Sequence, residues 1–231
     1  MVMGCRPAQA RRLHKEVTMH ADRPQSLSEE LANSISHGLG FLLAAAAAPV
    51  LVQIASSSGR LADVVAAYVF SGTMLLLYFS SAAYHALPEG RAKRLFYRLD
   101  HAAIFLFIAG SYTPFSLGML TSSHDWVVFG LIWGVALVGV VLKAMDRLSN
   151  PWLSLGLYIG LGWCVLVAAM PMLERVSEAG LQLIIGGGVT YTAGAVFFVL
   201  DSRVRYAHFI WHLFVLAGSA CHFCAALWHV R

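Results

Sequence analysis

The sequence predicts an all-α integral membrane protein, a bundle of seven transmembrane helices with its N-terminus in the cytoplasm and its C-terminus outside. Three observations carry this expectation. Of its 231 residues, 58% are hydrophobic and 12% are charged, whereas about a quarter of a soluble domain is charged. Apolar runs of membrane-spanning length recur along the chain, and the basic residues collect in alternate loops.

A hydrocarbon core about 30 Å thick needs roughly 20 apolar residues at a rise of 1.5 Å each. Such runs fall at about His37 to Ser57, Val64 to Leu87, His101 to Leu120, Trp126 to Lys143, Trp152 to Met170, Leu181 to Leu200 and His208 to Val230. Breakers separate them, with Pro88 after the second run and Ser149, Asn150 and Pro151 before the fifth. Pro114 should kink the third run and open room for a ligand beside Ser111, Tyr112 and Thr113, and Pro49 stands in the same relation to the first. Residues 1–36 are polar, lack the apolar core and cleavage site of a signal peptide, and read as a cytoplasmic tail ahead of one membrane domain at 37–231.

Orientation follows from Lys and Arg, which membrane proteins retain in cytoplasmic loops. With seven spans, 13 of the 16 basic residues share one side: the tail, the loop with Arg91, Lys93, Arg94 and Arg98, and the loops with Lys143, Arg147, Arg203 and Arg205. Arg60, Arg175 and Arg231 face the other side. The N-terminus is therefore expected inside, and the chain in the cell's inner (plasma) membrane. A net charge of +4, scattered between apolar runs instead of forming a face, excludes nucleic acid as a partner. Three of the four cysteines lie in apolar runs, so no disulfide framework is expected; the Cys221, Cys224 pair reads as packing.

Ionisable side chains inside a membrane are costly, so those that remain usually face a cavity and act there. His37, His85, His101, His208 and His212 all fall at or near cytoplasmic span ends, and Asp100 joins them. His208 and His212 are one turn apart on one helical face, a spacing that suits either one zinc ion or two hydrogen bonds to carbonyls. His85, at the same depth, would complete a three-histidine site if its helix is a neighbour. Three imidazoles leave a tetrahedral zinc one open position, as in catalytic sites. Asp100 suits a general base beside such a site, or a helix N-cap. Ser81, one turn before His85, could reach a water, a substrate oxygen or a ring nitrogen, or simply bond its own backbone. Glu30, Asn33 and His37 share a helical face directed into the bundle; His37 is expected to pack or hydrogen-bond, and His101 to face away. His222 lies about 21 Å beyond His208 along the helix and cannot join the cytoplasmic site.

These patterns resemble the progestin and adipoQ receptor family, in particular its bacterial haemolysin III branch. The stretch EELANSISHG looks like the family's E-x-x-N-x-x-x-H motif, SSAAYH with the later RLDHAAIF like its S-x-x-x-H and Asp motif, and HFIWH like its H-x-x-x-H motif. The resemblance covers the chain from about residue 28 onwards. It implies zinc held by His85, His208 and His212, with Asp100 across a water and Ser81 beside the site. It also implies seven helices with the N-terminus inside and, from eukaryotic relatives, zinc-dependent hydrolysis of ceramide-type amides.

The expected function is thus a zinc-dependent hydrolase of lipid amides acting in membrane-lipid homeostasis, with a membrane lipid as substrate or ligand. The alternative is a non-enzymatic cytolytic or membrane-homeostasis protein in which zinc is structural. A transporter would need polar residues through the full depth of the membrane, and here they cluster on one side. Gly186, Gly187 and Gly188 suit close helix packing within the chain or between copies in a homo-oligomer.

Overall fold

The computed structural model describes residues 23–117, 120, 122–168 and 176–229, the side chains of 165–168 excepted. Seven α-helices account for most of these residues: α1 (Leu27–Ser57), α2 (Leu61–Ala86), α3 (Arg91–Tyr112), α4 (Ser123–Ala144), α5 (Pro151–Ala168), α6 (Glu178–Leu200) and α7 (Ala207–His229). No strand occurs among the described residues. By length and composition α1, α2, α4, α6 and α7 are each able to cross a membrane. The first half of α3 instead carries Arg91, Lys93, Arg94, Arg98 and Asp100.

Local signals set the helix ends. Ser26 and Glu29 form a reciprocal capping box that starts α1 ten residues before the expected span, so the end of the polar tail is helical. Ser122 and Asp125 do the same for α4. The Asn150 side chain accepts from the backbone N–H of Trp152 (2.9 Å) and Leu153 (3.1 Å), which explains why Asn150-Pro151 opens α5. The third helix departs furthest from expectation. It begins at Arg91, and Pro114 does not kink it, because the α-helix ends at Tyr112 and Pro114 sits in a 3-10 turn, Thr113–Phe115. Pro49 stays within a continuous α1. The third span's expected end includes residues 118 and 119, and those of the fifth and seventh, Met170 and Val230, also lie outside the described residues.

Successive helices are neighbours, and α7 returns to pack on α1, which closes a ring. The ring is inverted relative to a soluble bundle. On α1, Asn33, Ser36, His37 and Gly40 are buried while Leu39, Leu42 and Leu43 are exposed. An apolar exterior around a polar seam is what a hydrocarbon solvent selects, since polar groups gain only by pairing inside. The α6–α7 contact is close because of its glycines. A Cβ on Gly187 would press into the His222 ring, and one on Gly194 would lie 2.5 Å from Phe214 Cβ.

Candidate metal centre

The ring order brings one end of the bundle together: the start of α1, the end of α2, the first half of α3, the turn after α6 and the start of α7. There His85, His208 and His212 each offer a ligand atom within 4.8 Å of the others. Their rings are mutually close, with centroids 5.1 Å apart from His85 to either partner and 4.7 Å apart within α7. The α2 histidine and the α7 pair are thus neighbours across the bundle, as the spacing on α7 required of any third ligand.

What surrounds each ring decides which nitrogen is left for a metal. His85 Nδ1 lies 2.6 Å from Glu30 Oε2. His208 Nδ1 lies 3.0 Å from Asp201 Oδ2. His212 Nδ1 lies 3.2 Å from the Asn33 carbonyl oxygen and 3.1 Å from Ser36 Oγ. An acceptor at Nδ1 fixes a neutral imidazole with its proton there and its lone pair at Nε2, the arrangement found around metal-binding histidines. His85 Nε2 is buried and has no hydrogen-bond partner. A buried orphan nitrogen among two other imidazoles costs free energy unless something ligates it. The donor set therefore fits a cation of zinc type, which takes neutral imidazoles readily.

Glu30 is itself held. Its Oε1 accepts from Lys93 Nζ at 2.9 Å, and that ammonium also donates to the carbonyls of Tyr84 (3.3 Å) and Leu87 (3.2 Å) at the end of α2. Lys93 thereby caps α2 and neutralises the carboxylate that orients His85. A second carboxylate braces the α7 side. Glu29, 2% exposed, accepts from both terminal Arg23 guanidinium nitrogens (2.6 and 2.8 Å), the Ser26 hydroxyl (2.7 Å) and the Tyr206 backbone N–H (2.9 Å). Tyr206 has φ of 60°, a strained value for a non-glycine residue, and it is the residue before α7. Glu29 thus pins the turn from which His208 projects.

Asp100, His37 and Ser81 lie alongside. Ser81 Oγ is 2.7 Å from His37 Nδ1, so of the partners open to it the serine takes a ring nitrogen. The Asp100 carboxyl also interacts with the Ser81 hydroxyl. Asp100 is not an N-cap, because α3 begins three turns earlier with Gly90 at its cap. His37 stacks face to face on His212 at 3.6 Å between centroids, which is the packing and hydrogen-bonding role expected of it. His101 donates through Nδ1 to the Tyr97 carbonyl (2.9 Å), yet it does not turn fully away. It lines the same cavity as Asp100.

That cavity, about 180 Å³, starts at His37, Ser81, Asp100, His208 and His212 and continues between α3, α5, α6 and α7 to His222. Fourteen residues of α7 separate His208 from His222, about 21 Å. His222 stays outside the histidine cluster, as expected, but shares its cavity. Between the two ends the wall is largely apolar, with Ile104, Phe107, Ile108, Leu155, Ile159 and Val215 among its residues.

The family described as Haemolysin-III related matches residues 25–223. Hemolysin-3 of Bacillus cereus is 39% identical over 206 residues, covering 89% of this chain and 94% of that protein. The chain belongs to the haemolysin III family. The Hemolysin-3 homolog of Bacillus subtilis (strain 168) is 36% identical over 204 residues, covering 88% of this chain and 95% of that one. The human monocyte to macrophage differentiation factor is 26% identical over 209 residues, 87% of this chain and 83% of that protein. This spread of relatives places the chain in the haemolysin III branch of the progestin and adipoQ receptor family, and with its apolar helices makes it a multi-pass membrane protein. No solved structure matches the chain.

Sequence reasoning reached the three histidines, Asp100 and Ser81 but missed Asp201, Lys93 and the bracing by Glu29. Asp201 leaves a weak signal, an acidic residue seven positions before a histidine at a helix start. Lys93 was counted only as a basic loop residue; nothing local shows that it turns inward to cap α2.

Proposed function

We propose that this haemolysin III family member is a zinc-dependent hydrolase of lipid amides, built on seven spans with the N-terminus in the cytoplasm and residing in the inner (plasma) membrane. The observation that carries the reading is that His208 and His212 of the histidine cluster and the buried carboxylate of Asp100 line one end of a largely apolar cavity. His85, His208 and His212 would hold the metal through Nε2. A zinc ion there supplies Lewis acidity: it polarises an acyl carbonyl and brings the ionisation of water towards neutral pH.

The chain's own residues supply the rest. The apolar wall takes the acyl chain and leaves the carbonyl at the polar end of the cavity, where Asp100, Ser81 and the histidines lie. Asp100 accepts a proton from the attacking water as the new C–O bond forms and the C–N bond breaks, then returns that proton to the leaving amine. Ser81, held by His37 at 2.7 Å, presents its hydroxyl towards Asp100 and orients the water or the substrate oxygen. Among the described residues the cluster offers three histidines, and because structural zinc normally takes four protein ligands this favours chemistry over a purely structural metal. Inside placement of the N-terminus is supported by the basic loops flanking this end of the bundle. The amine product and the fatty acid both belong to membrane-lipid turnover, which suits a role in lipid homeostasis.

The test is release of fatty acid from a ceramide-like amide by zinc-loaded protein and by Asp100→Asn. Loss of the base should lower the rate by about 10²–10⁴-fold while zinc content stays at the parent level. Equal rates would remove Asp100 from the reaction, and a zinc-loaded parent that releases no fatty acid from any amide offered would sink the hydrolase.

A further inference from the structure

The cavity holds little more than a slender occupant. About 180 Å³ is spread along a lining that runs from His208 to His222, roughly 21 Å of α7, where drug-sized pockets hold about 300–1,000 Å³. Two glycines line it from different helices, the half-buried Gly188 on α6 and the exposed Gly162 on α5. A Cβ built on either meets nothing within 4 Å. The structure thus divides the α6 glycines by job. Gly187 and Gly194 let α7 approach, since a Cβ there would strike His222 or Phe214. Gly188 packs against nothing, so helix contact does not account for it. Gly186 also has open space around its Cβ position, but it does not line the cavity.

We infer that Gly188 and Gly162 set the bore of the cavity and so determine how long a single unbranched acyl chain the site accepts. The inference rests on the lipid-amide reading, because the head of the chain must lie at the histidine end. Gly188 lies ten residues along α6 from Phe198, which lines the histidine end, or about 15 Å of the roughly 21 Å available. The Trp163 indole donates to Thr192 Oγ1 at 3.1 Å and fixes the register of α5 on α6. Thr192 is about one turn nearer the histidines than Gly188 along α6, and Gly162 is the residue before the tryptophan that bonds it. A side chain at Gly188 would therefore remove roughly the last third of the bore, and one at Gly162 would remove more.

The experiment measures binding of saturated fatty acids of graded length, the acyl products of the proposed reaction. It uses zinc-loaded parent, Gly188→Leu, Gly162→Leu and Gly186→Leu in detergent. The parent should bind progressively better with length up to a limit. In Gly188→Leu that limit should fall by roughly a third, in Gly162→Leu it should fall at least as far, and in Gly186→Leu it should stay at the parent's value, with zinc retained in all. Gly162→Leu gives the same reading from the other helix if Gly188→Leu fails to fold. An unchanged length limit in zinc-loaded Gly188→Leu and Gly162→Leu would overturn the bore assignment alone. A zinc-loaded parent that binds no chain of any length would overturn both this inference and the lipid reading.

Discussion

Replacing Glu30 by Gln tests how the site holds its metal, because the change keeps shape and removes one acceptor. The carboxylate serves two donors at once, with Oε2 2.6 Å from His85 Nδ1 and Oε1 2.9 Å from Lys93 Nζ. A glutamine has one oxygen, so whichever donor it satisfies, its NH₂ group is turned towards the other. Either His85 loses the acceptor that fixes its tautomer, or the buried Lys93 ammonium loses its counter-charge. Removing such outer partners typically costs about 10–100-fold in metal affinity, or roughly 1.4–2.7 kcal/mol at 1.36 kcal/mol per tenfold. The double conflict places Glu30→Gln near the upper end of that range. Asp201→Asn is the graded comparison: its partner His208 is held at 3.0 Å, the carboxylate is 28% exposed, and no lysine depends on it, so about tenfold is expected. Competition for zinc against a chelator of known affinity, in detergent and with helicity checked by circular dichroism, reads both values. Glu30→Gln within about twofold of the parent, far below the usual outer-partner cost, would refute the reasoning, as would Asp201→Asn losing more than Glu30→Gln.

Three further outcomes follow from the packing. Glu29→Ala removes the capping box and frees the Tyr206 N–H, so thermal unfolding should show a loss of about 2 kcal/mol, a cap plus one buried hydrogen bond; an unchanged midpoint would mean the α1 start and the α7 turn are held by something else. Gly187→Ala forces a methyl into the His222 ring and should cost about 1–3 kcal/mol by the same measurement, whereas Gly186→Ala should cost nothing. Ser81→Ala leaves His37 Nδ1 without its 2.7 Å partner, and should retain zinc while slowing amide hydrolysis; wild-type turnover in that variant would make Ser81 a packing residue.

Much of this arrangement was legible in the sequence because it rests on local periodicity. His208 and His212 share a face by their spacing alone, and Ser81 and His85 likewise, so the helices needed only to be neighbours. The face carrying Glu30, Asn33 and His37 was also readable, and all three turn inward. Helix boundaries were less readable where charge and helix coincide. The first half of α3 is too polar to look like a span, so Asp100 seemed to begin the helix when it lies inside it. Long-range pairings left no local trace: Lys93 reaching back to Glu30, Asp201 meeting His208 across the turn, and Glu29 bonding Tyr206. The cavity was legible only in part: room was expected beside Ser111 and Tyr112, and both line it, but its wall draws on α1, α2, α3, α5, α6 and α7 together, which no local pattern shows. Gly188 and Gly187 are adjacent in sequence and do opposite things, which only the neighbour across the interface reveals.

The most direct measurement of the central claim is elemental analysis of the detergent-purified protein, prepared without chelator, beside His85→Ala and His212→Ala. The account predicts one zinc per parent chain and none in either variant, with helicity retained. A metal-free parent, or variants that keep the parent's zinc, would contradict it.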